Sequence, residues 1–190
     1  RAAECKVIYK KRGERDNILH FLPAAIAICG EIVYNRKREN AKAGRRAMRC
    51  LFIYNPVSGR GKIAAKLEYI VRKLGEKYDT VDSHATTGAG DMTRAVRENA
   101  EKYDAIVFSG GDGSFNEAVQ GLCEANAVPE FGYIPGGTVN DVAHSLGIPR
   151  SIRGALKVIL TGKNVLLDCM KINDRYAMYI VAAGAFTSAT

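Results

Sequence analysis

A glycine-rich segment near the middle of the chain combines an acidic side chain with backbone that could bind an anion. Gly110, Gly111 and Gly113 surround Asp112, and Ser114 follows directly. Because glycine has no Cβ atom, these residues can adopt positive φ and let backbone N–H groups approach a ligand closely. The segment therefore predicts a phosphate site. Asp112 is its candidate proton acceptor, and holding the turn through side-chain to backbone hydrogen bonds is the structural alternative for the same carboxylate.

The elements on either side of the glycines support a phosphate site. Residues 105–108 are a short apolar run typical of a buried strand, and 115–123 carry apolar side chains at helical spacing. The amide groups and the dipole at a helix start attract anions. The segment matches neither the GxGxxG spacing nor the Gly-Lys-Ser/Thr of a Walker A loop, and tight strand-to-helix turns commonly use glycine. From these residues alone, a purely structural turn remains an alternative.

Three more polar turns each follow a predicted strand: 55–62 follows 51–54, 86–91 follows 78–85, and 135–141 follows 131–134. A helix is predicted after every one of these turns, so the sheet is predicted to be parallel, with the carboxyl ends of its strands at one edge. Arg60 and Lys62 add cations to the first turn. A solvated turn or helix capping could explain any one of them. Four such turns at one edge favour a ligand site.

The alternation predicts an α/β fold, a Rossmann-like parallel sheet with helices on both faces. Residues 164–172 and 176–181 break the alternation, because they form two strands joined by a hairpin turn. We expect this hairpin to start a second, β-rich domain that continues beyond Thr190. The predicted organisation is an N-terminal segment (1–48), a nucleotide-binding domain (49–163) and the start of an incomplete domain (164–190).

The first 48 residues differ in composition from the rest of the chain. An apolar stretch at 18–34 is interrupted by His20, Pro23 and Glu31, and basic residues flank it on both sides. A membrane-spanning helix needs about 20 apolar residues, so this stretch is short. One interpretation is a helix packed on the domain. The other is a membrane-contacting segment whose basic flanks meet anionic headgroups.

The overall composition is that of a basic globular protein. The chain has 190 residues, and its formal net charge of +8 favours anionic partners such as a nucleotide or an anionic lipid. It contains few aromatic residues and no nucleic-acid-binding motif, so nucleic acid is not an expected partner. Its five cysteines are scattered without a CxxC pair, which argues against a disulfide framework or a zinc site. We therefore expect a cytoplasmic protein, peripheral to the membrane or N-terminally associated with it.

Three motifs together resemble one family. GGDGSFNEAVQGL at 110–122 resembles the GGDGT-x-x-E-x-x-x-G-L signature of the diacylglycerol kinase catalytic domain. GGTVNDVAHSLGIP at 136–149 resembles its partner motif, and YNPVSGRGK at 54–62 is similar to its opening N-P-x-S-G. GGDG alone is not specific, because NAD kinases and phosphofructokinases share it. With all three motifs in order over 49–190, the resemblance is to the bacterial YegS/DgkB-like lipid kinase branch.

The resemblance implies an ATP-dependent lipid kinase that uses Mg²⁺ to phosphorylate the hydroxyl of diacylglycerol or a related lipid at a membrane surface. It implies a role in phospholipid biosynthesis, with a homodimer as one assembly. The implied fold is NAD kinase/diacylglycerol kinase-like: a nucleotide domain, a β-sandwich domain and a site in the cleft. The residues expected to bind ATP are Asn55, Ser58, Gly59, Thr86, Gly110, Gly111, Asp112, Gly113, Ser114, Phe115, Asn116, Glu117, Gly137, Thr138, Asn140 and Asp141.

The sequence also departs from the family pattern. Ser114 replaces the usual Thr but keeps the hydroxyl, whereas Val142 and His144 replace the common Phe and Arg. The resemblance to the bacterial branch implies magnesium ligands and a general base in the second domain, so we expect the main base beyond Thr190 and assign no metal ligands. The alternatives are an NAD kinase-like enzyme and a non-catalytic nucleotide- or lipid-binding module. The turn at 137–141 argues against the NAD kinase-like enzyme.

Overall fold

A computed structural model describes residues 5–11, 46–125, 127–172 and 174–177. The strands in this part of the chain are β1 (Cys5–Lys11), β2 (Arg49–Tyr54), β3 (Thr80–Ala85), β4 (Ala105–Gly110), β5 (Glu130–Pro135), β6 (Lys163–Ile172) and β7 (Arg175–Ala177). The α-helices are α1 (Leu67–Leu74), α2 (Asp91–Asn99), α3 (Asp112–Ala125), α4 (Asp141–Ser145) and α5 (Ile152–Thr161). Two short 3-10 segments, Ser58–Gly61 and Ala64–Lys66, connect β2 to α1.

The strands of the described residues form one sheet in the order β3-β2-β4-β5-β1-β6-β7. The first four pair in parallel, and Phe52 of β2 lies opposite both Ser83 of β3 and Val107 of β4. β1 pairs in parallel with β5 and antiparallel with β6, which in turn pairs antiparallel with β7. The predicted parallel sheet is therefore confirmed, and β2 and β4 are the inner two of its four strands.

The central strands are apolar because both of their faces are covered. Every residue of β4 is buried, and only the first residue of β2 is exposed. Such continuous burial is typical of a parallel sheet between two layers of helices. β3 contains exposed residues along its length, as expected for an edge strand. At the centre of the core, the Tyr133 ring lies 4.9 Å from the Phe108 ring and 5.0 Å from the Phe115 ring.

Helices cover both faces of the sheet. α1 and α5 contact each other, and α5 packs on β5; α2 and α3 pack together, with α2 on β2 and α3 on β4. The chain moves from β2 outward to β3 and then back past β2 to β4. Because connections between parallel strands are right-handed, this reversal of direction puts the two sets of helices on opposite faces. α2 and α3 approach closely at Gly121, where an added Cβ atom would lie 2.3 Å from the Thr93 carbonyl oxygen. The predicted helices on both faces are confirmed.

The glycine turn after β4 is shorter than predicted. β4 extends to Gly110, and α3 begins at Asp112, three residues before the predicted helix start at Phe115. None of Gly110, Gly111 and Gly113 adopts the positive φ that glycine allows. The reason is that they occupy the end of a strand, a one-residue connection and the first turn of a helix. Glycine at these positions therefore needs another explanation.

The other helix boundaries differ from the predictions by about one turn or less. α1 begins at Leu67 instead of 63, because Ala64–Lys66 forms a 3-10 turn and Lys66 has φ −114° and ψ 11°. Ser151, directly before the apolar helical pattern at 152–160, predicts an N-cap, and the structure confirms it: Ser151 Oγ accepts a hydrogen bond from Gly154 N at 3.1 Å. Local capping was thus easier to predict than the end of an irregular loop.

Both ends of the chain contribute strands to the sheet. The predicted C-terminal hairpin is confirmed within the described residues, with Ile172 opposite Arg175, while 178–181 of the predicted second strand lie outside them. That it starts a second domain stays a prediction, as do the three domain boundaries. β1 was not predicted, and the apolar stretch at 18–34 lies outside the described residues. Among the residues that the structure describes, no helix combines the length and apolar character needed to cross a bilayer.

Candidate functional site

The carboxyl ends of the four parallel strands lie at one edge of the sheet, which we call the rim. It comprises residues 55–62 after β2, 86–90 after β3, 110–114 at the end of β4, and 136–141 after β5. β2 and β4 are neighbours, yet the chain leaves them for helices on opposite faces. Such a topological switch point is where open α/β sheets bind ligands. The rim is therefore the candidate site.

Hydrogen bonds join the rim segments of three strands. Asn55 N donates to the Ser109 carbonyl at 3.2 Å, and Gly136 N donates to the Gly110 carbonyl at 2.8 Å. Ser58 Oγ donates to the Gly136 carbonyl at 2.9 Å. The turns after β2, β4 and β5 thus contact one another directly, and Asn55, Ser58 and Gly110, all predicted site residues, make these contacts.

The turns after β4 and β5 meet at two glycines. An added Cβ atom at Gly137 would lie 2.5 Å from Gly111 Cα, whereas one at Gly111 would lie 3.4 Å from Gly137 Cα. Packing therefore requires glycine at 137 more strictly than at 111. Gly113, in the first turn of α3, has no atom within 4 Å of an added Cβ. The amides of this first turn have no acceptor inside the helix, and the space beside Gly113 would let a phosphate reach them.

Gly110 has a packing role. An added Cβ atom there would lie 2.3 Å from both Cβ and Oγ of Ser114. The absence of a side chain at Gly110 lets Ser114 fold back over the end of β4. The hydroxyl that replaces the family's Thr therefore lies at the rim, half-buried.

Asn140 shapes the turn between β5 and α4. It has φ +58° and ψ +52°, a left-handed conformation that Asn tolerates better than most residues. Its Oδ1 accepts a hydrogen bond from Gly137 N at 2.8 Å, and its Nδ2 donates to the Gly137 carbonyl at 2.7 Å. The residue is only 3% exposed. Asn140 therefore supports the turn from beneath, and its contact with a ligand stays a prediction.

Tyr133 supports both glycine turns from the core, although the sequence analysis did not identify it. Its hydroxyl donates to the Gly110 carbonyl at 3.0 Å and lies 3.4 Å from Asn140 Oδ1. Burial, and after it the charge of Asp112, raise the pKa of Tyr133 above its ordinary value, so the hydroxyl stays protonated and able to donate. A tyrosine in an otherwise apolar strand was the available signal in the sequence.

Asp112 makes a structural contact. Its Oδ1 accepts a hydrogen bond from Val142 N at 3.1 Å. Val142 is the second residue of α4, so the carboxylate satisfies an amide that has no partner within that helix. The structural alternative from the sequence analysis thus has an observed contact, while proton transfer by Asp112 stays a prediction.

The loop after β2 lies close to the turn after β5. Gly59 and Arg60 both adopt the left-handed conformation, with φ +59° and +60°. An added Cβ atom at Gly59 would lie 2.5 Å from the Gly136 carbonyl oxygen. Only glycine allows the two backbones to approach so closely. The sequence motif at 58–59 therefore has a steric reason at this contact.

A cleft of about 220 Å³ opens beside these turns. Its walls include Gly59, the glycines at 136–137 and two basic residues, Lys62 and Arg150. Arg150 Nη2 donates to the Thr138 carbonyl at 2.6 Å, which holds the guanidinium at the turn. Arg150 was missed in the sequence analysis because it lies nine residues after the turn at 136–141, beyond the helix α4. The two cations make the cleft suitable for an anionic ligand.

The fourth rim segment extends from the edge strand β3. Thr86 N donates to the Tyr54 carbonyl at 2.9 Å, and Thr86 Oγ1 lies 3.4 Å from the same oxygen. The helix-capping alternative for the threonines is not what is observed, because the N-cap of α2 is Gly90 and no side chain caps it. Instead, Thr87 N donates to Asp91 Oδ2 at 2.9 Å.

The remaining predicted residues differ in exposure. The Phe115 side chain is buried in the aromatic core, so only its backbone is available to a ligand. Asn116, Thr138 and Asp141 are exposed, and Glu117 is half-buried. Their roles in ATP binding stay predictions.

The part of the chain that the structure describes does not supply a metal site. It contains no group of three or more His, Cys, Asp or Glu side chains placed to hold an ion. The rim carboxylates of Asp112 and Asp141 therefore do not fit a magnesium site by themselves, and no catalytic step is assigned to a metal here.

Comparisons with known proteins agree with this geometry. The diacylglycerol kinase catalytic domain family matches residues 49–172. Curated diacylglycerol kinases from Staphylococcus aureus strains bovine RF122 / ET3-1 and JH9 are 40% identical over 140 residues, which cover 73% of this chain and 44% of theirs. The crystal structure of a diacylglycerol kinase from Bacillus anthracis str. Sterne is 34% identical with a TM-score of 0.63, over 67% of this chain and 45% of that one.

An open, doubly wound α/β sheet with glycine turns at its switch point defines the class of fold. Within that class, the chain belongs to the diacylglycerol kinase family. The resemblance inferred from the three motifs is confirmed. The chain spans less than half the length of these relatives.

Proposed function

We propose that the chain is the nucleotide-binding part of an ATP-dependent lipid kinase that phosphorylates the hydroxyl of diacylglycerol or a related lipid. The observation that carries the proposal is the contact between Gly111 and Gly137 at the start of α3. The two turns lack side chains there and adjoin the first-turn amides of a 14-residue helix, and the turn after β5 lines a cleft together with Lys62 and Arg150. Amide donors, a helix dipole and two cations suit a triphosphate. Family membership supports a lipid as the acceptor.

In the proposed reaction, the rim holds the triphosphate and the lipid hydroxyl attacks the γ-phosphorus in line. A P–O bond forms to the lipid oxygen, the bond from the γ-phosphorus to the β,γ-bridging oxygen breaks, and ADP leaves. The hydroxyl proton passes to a carboxylate. Asp112 is the acidic candidate on the rim, but its Oδ1 already accepts from Val142 N. Family membership supports a main base in a second domain, and we expect it beyond Thr190.

The proposal includes Mg²⁺ as the counter-ion of the triphosphate, although the described residues do not form a site for it. It also includes a lipid substrate at a membrane surface, a peripheral cytoplasmic location and a role in phospholipid biosynthesis. The net charge of +8 supports contact with anionic lipid. A homodimer stays a prediction.

Turnover and ATP binding, measured on two chains, test the proposal. The 190-residue chain and a chain extended to the length of its relatives would be assayed with ATP, Mg²⁺ and diacylglycerol vesicles. We expect both to bind ATP and only the longer one to phosphorylate lipid. Gly111→Val should abolish both properties in a folded protein, because its methyl groups fill the space that the phosphates need. Gly75→Ala, at the opposite end of α1 from the rim, is the matched control and should change neither.

Other outcomes would point to the alternatives. ATP binding without lipid phosphorylation by either chain favours a non-catalytic binding module or another acceptor. Phosphorylation of NAD instead of lipid favours an NAD kinase-like enzyme. Unchanged ATP affinity in folded Gly111→Val would contradict the site assignment.

A further inference from the structure

A buried carboxylate beside the rim joins a strand, a loop and a helix. Asp91, the first residue of α2, is 6% exposed. Its Oδ2 accepts hydrogen bonds from Thr87 N at 2.9 Å and Thr87 Oγ1 at 3.1 Å, and lies 3.3 Å from His84 Nε2 at the end of β3. Its Oδ1 accepts from Arg94 Nη2 at 2.5 Å and Arg94 Nε at 3.2 Å. We call these four residues the Asp91 cluster.

The Asp91 cluster holds a charge that would be costly to bury alone. The hydrogen bond from Arg94, and after it that from Thr87 N, hold the pKa of Asp91 well below its usual range, so the group is ionised at neutral pH. A buried carboxylate is stable only when it is paired and hydrogen-bonded. Asp91 is therefore a fixed acceptor at neutral pH.

The cluster anchors the residue that follows Thr86. Thr86 N is bonded to the Tyr54 carbonyl of β2 on one side, and Thr87 is bonded to Asp91 on the other. The loop that follows contains Gly88 and Gly90, and an added Cβ at either would meet no atom within 4 Å. Little packing therefore constrains 88–90. Without the Asp91 carboxylate, Thr86 would keep only its anchor on β2.

The loop from β3 lies apart from the glycine turns. In the sheet order β3-β2-β4, β3 is two strands from β4, which corresponds to about 10 Å. The features suited to phosphate, which are the contact of Gly111 with Gly137 and the start of α3, lie at β4 and β5. A nucleotide with its phosphates at those turns has a nucleoside long enough to reach the β3 loop.

We propose that Asp91 is a positioning residue that holds Thr86 against the nucleoside part of the nucleotide, while the glycine turns hold the phosphates. This inference rests on the proposed function. It assigns a specific task to the β3 loop, namely the discrimination of a nucleotide from a bare polyphosphate.

The test compares the binding of ATP and of inorganic triphosphate to the full 190-residue chain by calorimetry. We expect wild type to bind ATP more tightly than triphosphate. Asp91→Ala should raise the Kd for ATP about tenfold, as expected for the loss of an anchored contact, and change the Kd for triphosphate by less than about twofold. Thr87→Val, which removes one of the hydrogen bonds to Asp91, is a milder second variant and should show a smaller change of the same kind.

Arg94→Met is the matched control. It removes the ion pair at Oδ1 and leaves both Thr87 hydrogen bonds to Oδ2 available. Both Asp91→Ala and Arg94→Met should lower the free energy of unfolding, but only Asp91→Ala should change the ratio of the two Kd values. A purely structural role for Asp91 would instead weaken ATP and triphosphate binding together.

The outcomes separate this inference from the proposed function. Equal losses for ATP and triphosphate in Asp91→Ala, or unchanged ATP binding in Asp91→Ala and Thr87→Val, would overturn the role of Asp91 without contradicting the proposed nucleotide site. Equal affinity of wild type for ATP and triphosphate would show that the nucleoside is not contacted. Failure of wild type to bind either compound would overturn the proposed function and this inference with it.

Discussion

Gly137 and Gly113 occur on the same rim for different physical reasons. The fold requires Gly137, since a Cβ atom there would lie 2.5 Å from Gly111 Cα. Gly113 has neither positive φ nor a neighbour within 4 Å of an added Cβ. Glycine inside a helix costs about 0.5–1 kcal/mol relative to alanine. The folded chain alone does not explain that cost, whereas a ligand that needs the space would.

Gly113→Ala should therefore separate stability from binding. We expect the free energy of unfolding to stay the same or rise by up to about 1 kcal/mol, because alanine favours the helix. ATP affinity should fall at least about tenfold, because the methyl group occupies the approach to the first-turn amides. Urea unfolding and calorimetry measure the two effects.

A second glycine of α3 provides the control. Gly121→Ala should destabilise the protein, because its Cβ would lie 2.3 Å from the Thr93 carbonyl oxygen. It lies two turns further along the helix, so the folded variant should bind ATP as wild type does. Normal ATP binding by Gly113→Ala would contradict the assignment of the first turn to phosphate.

Asp112→Asn should distinguish the two roles of this carboxylate. Asparagine keeps an oxygen that can accept from Val142 N, so the start of α4 and ATP affinity should be retained. If Asp112 only supports the turn, lipid phosphorylation by the longer chain should persist within about tenfold. A loss of turnover beyond about a hundredfold with intact ATP binding would instead make Asp112 the proton acceptor.

At the scale of elements, the turn from β5 into α4 depends on Asn140 for both its conformation and its hydrogen bonds. Asn140→Ala should lower the free energy of unfolding by about 2–3 kcal/mol, because alanine disfavours the left-handed region and cannot bond Gly137. Asn140→Gly should cost only about 1 kcal/mol, since glycine adopts this conformation without strain. Urea unfolding of both variants tests the order. Equal losses would show that backbone strain is unimportant here.

The Asp91 cluster connects β3, the following loop and α2, and it should make stability depend on acid. The pKa of Asp91 is lower in the folded chain than its ordinary value, chiefly because of the Arg94 hydrogen bond. Such a group contributes stability above the unfolded pKa, and that contribution is lost as the pH falls toward the folded pKa. The difference in free energy of unfolding between wild type and Asp91→Asn should therefore narrow below about pH 5.

Urea unfolding of both proteins between pH 7 and pH 3 provides the measurement. A difference that stays constant over this range would mean that the Asp91 carboxyl group is not stabilised in its ionised form by folding.

At the scale of the whole molecule, the sequence was sufficient to predict the parallel sheet and its helices. The strands at 51–54, 105–108 and 131–134 are buried on both faces, so each appears in the sequence as an apolar run. Such a run can be recognised as a strand without knowing which strands it pairs with. β1 was not predictable in this way, because a short strand in a basic segment depends on its pairing with β5 and β6. Pairing between segments that are distant along the chain leaves no local pattern in the sequence from which the strand could be predicted.

The location of the rim also followed from the sequence, but its internal contacts did not. The alternation of strands and helices was enough to bring four turns to one edge. The bond of Tyr133 to the Gly110 carbonyl and that of Arg150 to the Thr138 carbonyl depend on side-chain reach across the folded chain. For the same reason, the glycines were correctly placed at the rim, but the close approach of Gly110 to Ser114 and of Gly137 to Gly111 could not be predicted.

The hydrogen bonds that join the rim segments also determine how the rim moves. Asn55 N and Gly136 N are bonded to carbonyls at the end of β4, and Ser58 Oγ is bonded to the backbone after β5. Opening these segments would require the central strands to separate, so amide exchange at Asn55 and Gly136 should be nearly as slow as in the sheet itself. The three segments would then lose little conformational entropy when a nucleotide binds. Most of the conformational entropy of this surface is therefore lost already when the protein folds.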